Sequence, residues 1–520
     1  MTKPATLILI TLILAFGFFL RIYRLSFLPA GFFCDEAAIG YNAYSVLKTG
    51  ADEYGTRLPF FFRSFGAYRN PVPIYANIPS ISVFGLNEFS VRLTTVLMGT
   101  LTILLVFLIT RHLFGATPAL LSALFTAISP WHIHFSRFGS EYISFPFFFC
   151  LSLYLFLLAL KNRQTILPLS FFFFGITLYT YYPAWLTVPV FLAGLIAANF
   201  RTLFKKLPVF LFSSLIFTLS LLPLFIGIKQ GIALTRWNQV STFNVFSSQK
   251  QALTESVKTL FLTYINHFSY DFLFSKGDID FPGHFITRFS VRGMGQLYLF
   301  QLPLLIFGFF LLVKNIRKFS YQILFLWFLL YPLGSTLIGT DGGGPFAFRS
   351  IIGVIPFQIL SALALVSLLK FLIKKIPLKH PLLLKSALGI LILFLFSFSF
   401  KNYLHLYFVE YPLYSSDFWG WQFGPREVMQ YFLSVKDNYD QLYLVGEFNS
   451  PEIFIKFYDP QTLCQNRCRI GSFADFNPGK KQLFAVSVNR MREVPIDLNY
   501  KIEKTIYYPS QKTAYFILEF

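Results

Sequence analysis

Charge is what this sequence has least of. Only 13% of its 520 residues are Asp, Glu, Lys or Arg, against about a quarter in soluble domains. A soluble chain of this length would not combine so little charge with 55% hydrophobic residues and 69 phenylalanines. The chain therefore reads as a polytopic membrane protein. Acidic residues are the scarcer sign, 24 against 44 basic ones, for a net charge of +20. Such a balance can signal nucleic acid, but here Lys and Arg fall in short clusters between apolar segments. That is the pattern of positive charge retained on the cytoplasmic side, and nucleic acid is excluded as a partner. Cysteine is also sparse: Cys34, Cys150, Cys464 and Cys468 are too few for a disulfide scaffold. The first apolar run, Ala5 to Leu20, lacks a small-residue cleavage site and reads as a retained span rather than a signal peptide. No ATP-binding motif, internal repeat or low-complexity linker is found.

What is abundant is the apolar run. A membrane helix needs roughly 20 mostly apolar residues. About eleven segments meet that test, at 5–23, 91–110, 116–135, 143–160, 165–182, 184–200, 207–228, 297–313, 320–339, 347–369 and 382–400. Arg111-His112, Lys161 with Arg163, Arg201 with Lys205-Lys206, Lys314 with Arg317-Lys318, and Lys370 through Lys385 occupy alternate loops. Placing those loops in the cytoplasm leaves the N-terminus there too, beside Lys3. The long connections, 24–90, 229–296 and everything after 400, then fall outside, with the short loops 136–142 and 340–346. The working surface should face away from the cytoplasm.

The first outer loop carries Tyr41, Tyr44 and Leu47 at helical spacing, broken by Gly50, Gly55 and Pro59. A second apolar stretch, Ile74 to Phe84, starts after Pro71-Val72-Pro73 and suits a helix lying along the interface. After residue 400 the chain changes character. Pro425 suits the first turn of a helix, Leu442 to Val445, Leu483 to Val488 and Tyr515 to Leu518 read as strands, and Ser450-Pro451-Glu452 as a helix start. The expected organisation is a membrane domain over 1–400 and a small extracytoplasmic α/β domain over 401–520.

Five motifs carry candidate chemistry. Asp35-Glu36, in the first outer loop, supplies a carboxylate able to deprotonate an acceptor hydroxyl at the membrane surface; the dipeptide alone more often marks a solvated turn or a helix-start acidic pair. Arg137 and Glu141, four apart at the outer end of a span, would share one helix face as an ion pair, structural or functional. His132 and His134, two apart, lie on different helix faces and read as interface histidines. Asp35 and Glu36 are the residues that would take a divalent cation, which nothing in the pattern requires. Arg349, in Asp341-Gly342-Gly343-Gly344-Pro345-Phe346-Ala347-Phe348-Arg349, suits a phosphate or an ordinary snorkelling role, and Arg69 has the same two readings. Cys464 and Cys468 would pair in an oxidising compartment.

With these residues in view, the sequence resembles the GT-C glycosyltransferases. It is similar to the branch that holds protein O-mannosyltransferases and lipid A aminoarabinose transferases (glycosyltransferase family 39 and its bacterial relatives). The likeness rests on Asp35-Glu36, on Tyr68-Arg69-Asn70-Pro71, on Phe84 through Leu93 leading into the second span, on Ser136-Arg137 with Glu141, and on Arg349 ahead of Pro356. It implies a GT-C fold and transfer of a hexose or pentose, with inversion, from a polyprenyl-phosphate donor to an extracytoplasmic acceptor. By that likeness Asp35 would be the general base and Glu36 would help place the acceptor. Arg69 and Arg349 would hold the donor phosphate, and Arg137 with Glu141 would shape the site. Two departures are visible: Asn70 and Val72 interrupt the paired prolines common in relatives, and the tail is not the β-trefoil of the eukaryotic protein mannosyltransferases. The acceptor is left open among glycan, lipid and protein. The rival class, a flippase of lipid-linked saccharide, calls for charged or broken helices at mid-membrane and repeat symmetry, whereas most charges here sit at span ends. A catalytically silent binder of lipid-linked sugar would lack Asp35, which is present.

Overall fold

Apolar runs in this chain have no means of satisfying their backbone in lipid except as helices, and helices are what they form. A computed structural model of the chain describes residues 2–161, 163–235, 253–278, 286–337, 344–375, 381–446, 448–496 and 498–520. The first nine helices are α1 (Lys3–Ile22), α2 (Cys34–Thr49), α3 (Pro71–Phe84), α4 (Glu88–Phe114), α5 (Ala116–Ile128), α6 (Pro130–Phe135), α7 (Ser144–Lys161), α8 (Leu167–Thr177) and α9 (Ala184–Ala198). Further apolar helices cover Leu207–Ser220, Leu222–Lys229, Gln301–Lys314, Phe319–Leu330, Leu333–Leu337, Val354–Lys375 and Pro381–His405. Each of the expected apolar segments thus contains at least one of these helices. Among the described residues, six stretches reach at least 18 residues with the apolarity to cross a membrane, and four shorter apolar helices join them. The chain is a multi-pass membrane protein.

The expected span 116–135 is broken at Ser129. Pro130 has no N–H to continue α5, so it opens α6 instead, with the Ser129 hydroxyl accepting the His132 N–H at 3.4 Å. That bend precedes the turn from which Arg137 reaches the start of the loop between α1 and α4. The loop is built from α2, α3 and a hairpin of β1 (Phe62–Ser64) and β2 (Ala67–Arg69). The hairpin's two turn residues, Phe65 and Gly66, both have positive φ, 49° and 76°, as the right-handed twist of two strands joined by two residues requires.

The C-terminal part is a mixed sheet with helices Pro425–Val435 and Glu452–Tyr458. Its strands are β3 (Gln441–Val445), β4 (Cys468–Ile470), β5 (Gln482–Ser487), β6 (Lys501–Tyr507) and β7 (Thr513–Glu519), in the order β4-β3-β5-β7-β6. β3 runs parallel to β4 and β5, and β7 pairs antiparallel with β5 and β6. β5 is buried along its whole length, as the centre of a covered sheet should be. Cys464 and Cys468 are bridged, with Cα atoms 5.6 Å apart, while Cys34 and Cys150 are free and buried.

Sheet and bundle meet at α2. The rings of Phe32 and Phe457 lie 4.8 Å apart, and Gly40 lets α2 pass between α4 and the helix Glu452–Tyr458. A Cβ at residue 40 would lie 2.5 Å from Val91 Cγ2 and 2.8 Å from Phe457. Gly40→Val should therefore destabilise the protein by about 1–3 kcal/mol through overpacking. Limited proteolysis of the purified protein should release the C-terminal unit faster than from wild type; unchanged cleavage would contradict this packing.

Candidate active site

The second and third residues of α2, Asp35 and Glu36, point in different directions. Glu36 occupies the third helical position, from which its Oε2 reaches back to accept the Phe33 N–H at 3.2 Å. Its remaining capacity goes to Arg92 Nε (2.9 Å), Arg92 Nη2 (3.0 Å) and the Gly139 N–H (2.7 Å). Only 1% of Glu36 is exposed. Asp35, roughly 100° away round the helix, opens instead into a cavity of about 340 Å³.

That cavity collects four of the residues expected from sequence: Asp35, Arg69, Glu141 and Arg349. Arg69, at the end of β2, lies between two carboxylates. Its Nη2 is 2.5 Å from Asp35 Oδ1, its Nη1 is 3.1 Å from Glu141 Oε2, and its Nε donates to Ser64 Oγ at 2.9 Å. Burial alone would lower the Arg69 guanidinium, but Asp35 and Glu141 outweigh it and hold the group above its ordinary value, so it stays charged. Arg349 is 6% exposed and lies against Phe346 and Phe348, its Cζ 4.5 and 5.0 Å from their ring centres.

A third guanidinium was not singled out by sequence reasoning. Arg288 lies with its Cζ 3.7 Å above the Phe33 ring and 4.7 Å from Phe289, and its Nη1 donates to the Trp419 carbonyl at 2.9 Å. Burial lowers its affinity for the proton, and the nearby Tyr142, Asp35 and Cys34 oppose that. The signal available was the Arg288-Phe289 pair in the connection 229–296, the mirror of Phe348-Arg349. The rings of the two pairs stack, Phe289 on Phe348 at 4.2 Å. The cavity wall thus carries three guanidiniums against two carboxylates, an excess of one positive charge. Such an excess, fixed in place, suits an anion and the charge developing on a departing phosphate.

Beneath the cavity lies a layer of buried arginines. Arg92 spends its five N–H groups on both Glu36 oxygens and the carbonyls of Leu25, Pro29 and Gly31. Arg137 donates to the carbonyls of Leu20, Arg21, Tyr23 and Leu28 at 2.7–3.2 Å. Arg21 reaches Gly17, Ala127, Thr126 and His132 Nδ1. Each is fully buried.

Several expectations need correcting on this geometry. Arg137 and Glu141 do not share a helix face, because α6 ends at Phe135; Arg137 turns inward to the end of α1, and Glu141 pairs with Arg69. Glu36 does not line the cavity. Nor do Asp35 and Glu36 converge as cation ligands, since Glu36's oxygens are filled by protein donors. No group of three or more metal-ligating side chains occurs among the described residues. His132 is held by Arg21, and His134 Nε2 lies 2.7 Å from the Arg288 carbonyl. Asp341, Gly342 and Gly343 of the glycine run lie outside the described residues.

Residues 69–226 match the family model described as dolichyl-phosphate-mannose-protein mannosyltransferase. A curated protein of Aquifex aeolicus, named only as uncharacterized, is 30% identical over 156 residues, 30% of this chain and 29% of its own. The chain therefore spans less than a third of that relative's length. Among solved structures, ArnT from Cupriavidus metallidurans in the apo state aligns over 98% of this chain and 97% of its own (TM-score 0.53, 13% identity). The form bound to undecaprenyl phosphate aligns over 100% and 98% (TM-score 0.50, 12% identity). Archaeal oligosaccharyltransferase AglB from Archaeoglobus fulgidus, in complex with an inhibitory peptide and a dolichol-phosphate, aligns over 88% of this chain and 59% of its own (TM-score 0.52, 15% identity). At these identities the likeness is one of fold. The chain has the GT-C fold of these structures.

Removing Arg92 would leave Glu36 buried without its counter-charge. Arg92→Leu should cost roughly 3–5 kcal/mol, and Arg92→Leu with Glu36→Leu together should cost less than that single change. Denaturant unfolding of the detergent-solubilised protein reads both; a single variant as stable as wild type would refute the pair's structural role.

Proposed function

We propose that the protein is an integral-membrane inverting glycosyltransferase. It moves a sugar from a polyprenyl-phosphate donor to an acceptor hydroxyl outside the cytoplasm. The observation that carries this reading is the Asp35 carboxylate, held by Arg69 in a cavity that also contains Arg288 and Arg349. The undecaprenyl phosphate and dolichol-phosphate named in the structures of the same fold support a lipid phosphate as the donor's carrier.

In the proposed step, Asp35 accepts the proton of the acceptor hydroxyl. The acceptor oxygen bonds to the anomeric carbon from the face opposite the phosphate. The anomeric carbon–oxygen bond to phosphate breaks, and its electron pair leaves with the polyprenyl phosphate. One carboxylate suffices for such a single displacement, unlike the paired carboxylates of glycoside hydrolysis. Arg288 and Arg349 take the charge growing on the phosphate. Arg69, already shared between Asp35 and Glu141, sets the angle of Asp35 rather than gripping the donor. Glu36, Arg92 and Arg137 act through the backbone they hold.

The outward orientation is part of the proposal. The residues around Asp35 gather where α1 ends and α4 begins, whereas Arg111 lies at the other end of α4. With the basic clusters kept in the cytoplasm, the cavity and the C-terminal sheet face the opposite side. The division into a membrane part over 1–400 and an outer part over 401–520 belongs to the same reading.

Asp35→Asn should lower transfer from radiolabelled polyprenyl-phosphate sugars to a membrane-extract acceptor by about 10²–10⁴-fold, the usual worth of a positioned base. Its folding should match wild type. Full activity would sink the assignment, and sugar-lipid crossing reconstituted bilayers without transfer would replace it with a flippase. Arg288→Ala and Arg349→Ala should weaken donor binding at least about tenfold, since removing a charge-assisted contact is worth more than 1.4 kcal/mol. Unchanged donor affinity in either variant would take that arginine out of the phosphate site.

A further inference from the structure

Tyr142 follows Glu141 in the turn between α6 and α7, and it lines the cavity that holds Asp35. Its ring is packed on several sides. Phe348 and Tyr181 lie 5.1 and 5.2 Å away, centre to centre, and Phe135, Phe138 and Phe289 at 5.7, 5.9 and 6.2 Å. A ring so enclosed has little room to swing. The residue is 8% exposed. Its hydroxyl nevertheless has no hydrogen-bond partner among the described residues, and it is not one of the atoms sealed from water. A buried tyrosine ordinarily gives its O–H a partner, as Tyr179, Tyr298, Tyr331 and Tyr411 do here with backbone carbonyls. Tyr142 opens its hydroxyl to the cavity instead.

That hydroxyl is in electrostatic reach of both cavity carboxylates, Glu141 and Asp35, and of the guanidiniums of Arg288 and Arg69. Burial first, then the two carboxylates, push the phenol above its ordinary value against the pull of the arginines. It therefore stays a neutral O–H, able to donate one hydrogen bond and to accept others. The ring also packs on Phe289 and Phe348, the neighbours of Arg288 and Arg349 in the chain. An inverting displacement puts the base and the departing group on opposite faces of the sugar being moved. A side chain in reach of Asp35 and of Arg288 together borders that sugar.

We propose that the Tyr142 O–H hydrogen-bonds one hydroxyl of the transferred sugar and so selects which sugar the protein accepts, an inference that rests on the transferase reading above. The chemistry separates the groups of the cavity. A phosphate is served by guanidiniums, which only donate, whereas a hydroxyl suits a neutral group that can donate or accept. The selection is physical: a site built to bond a substrate hydroxyl rejects the analogue lacking it, because the enzyme's own buried group is then left unpaired. The packed ring keeps the O–H at one place, so one position on the sugar should be read rather than all of them.

The test measures binding without turnover, by calorimetric titration of the full-length protein in lipid nanodiscs. The probes are farnesyl-linked hexose and pentose phosphonates, whose anomeric C–P bond cannot be transferred, each with its set of monodeoxy analogues. For the sugar held most tightly, wild type should bind one monodeoxy analogue about tenfold or more weakly than the parent. Tyr142→Phe removes the O–H and keeps the packed ring, and its thermal unfolding should match wild type. It should bind the parent about tenfold more weakly and lose the discrimination against that one analogue, while discriminating against the others as before. A role in packing alone would weaken every probe equally, and that result would overturn the proposal. So would unchanged discrimination in Tyr142→Phe, or a wild type that binds all the deoxy analogues as tightly as the parent, a result that needs no variant. Binding of none of the sugar phosphonates would instead strike the transferase reading, and this inference with it.

Discussion

The ion pair between Glu36 and Arg92 is the constraint on which the candidate site of this protein is arranged. Both side chains are out of water, and a buried pair is stable only when its other hydrogen-bonding capacity is met. Here it is met in full on the arginine side: every N–H of Arg92 has a partner, three of them carbonyls from the turn at 25–31. One side chain on α4 thereby fixes where the chain leaves α1, where α2 begins, and through the Gly139 N–H where the turn after α6 passes. Asp35 inherits its position from this arrangement. It is one residue along a helix whose start is clamped on both sides.

A buried arginine layer also answers a problem that membrane helices have at their ends. The last carbonyls of a helix have no intrahelical donor, and near the hydrocarbon boundary water is a poor substitute. Arg137 serves the end of α1 and the turn after it, and Arg21 serves the end of α5. These side chains are charges used as hydrogen-bond sources. The cavity above uses the same residue type differently: Arg288 and Arg349 lie against aromatic faces.

Much of this was legible in the sequence, and the reasons for the rest are physical. The apolar segments read correctly because a lipid-facing helix leaves a composition signal that no neighbour can override. β3, β5 and β7 read correctly because they are buried apolar runs. β6, Lys501–Tyr507, did not, since it is an edge strand carrying Lys501, Glu503 and Lys504, as edges commonly do. Asp35, Arg69, Glu141 and Arg349 come together as expected for one site, yet the sequence could not tell a carboxylate facing a cavity from its neighbour facing the core. That distinction lies in the helix register, which Arg92 sets from 56 residues away. Arg288 was hidden for a similar reason: only the stacking of Phe289 on Phe348 shows that two distant segments form one wall.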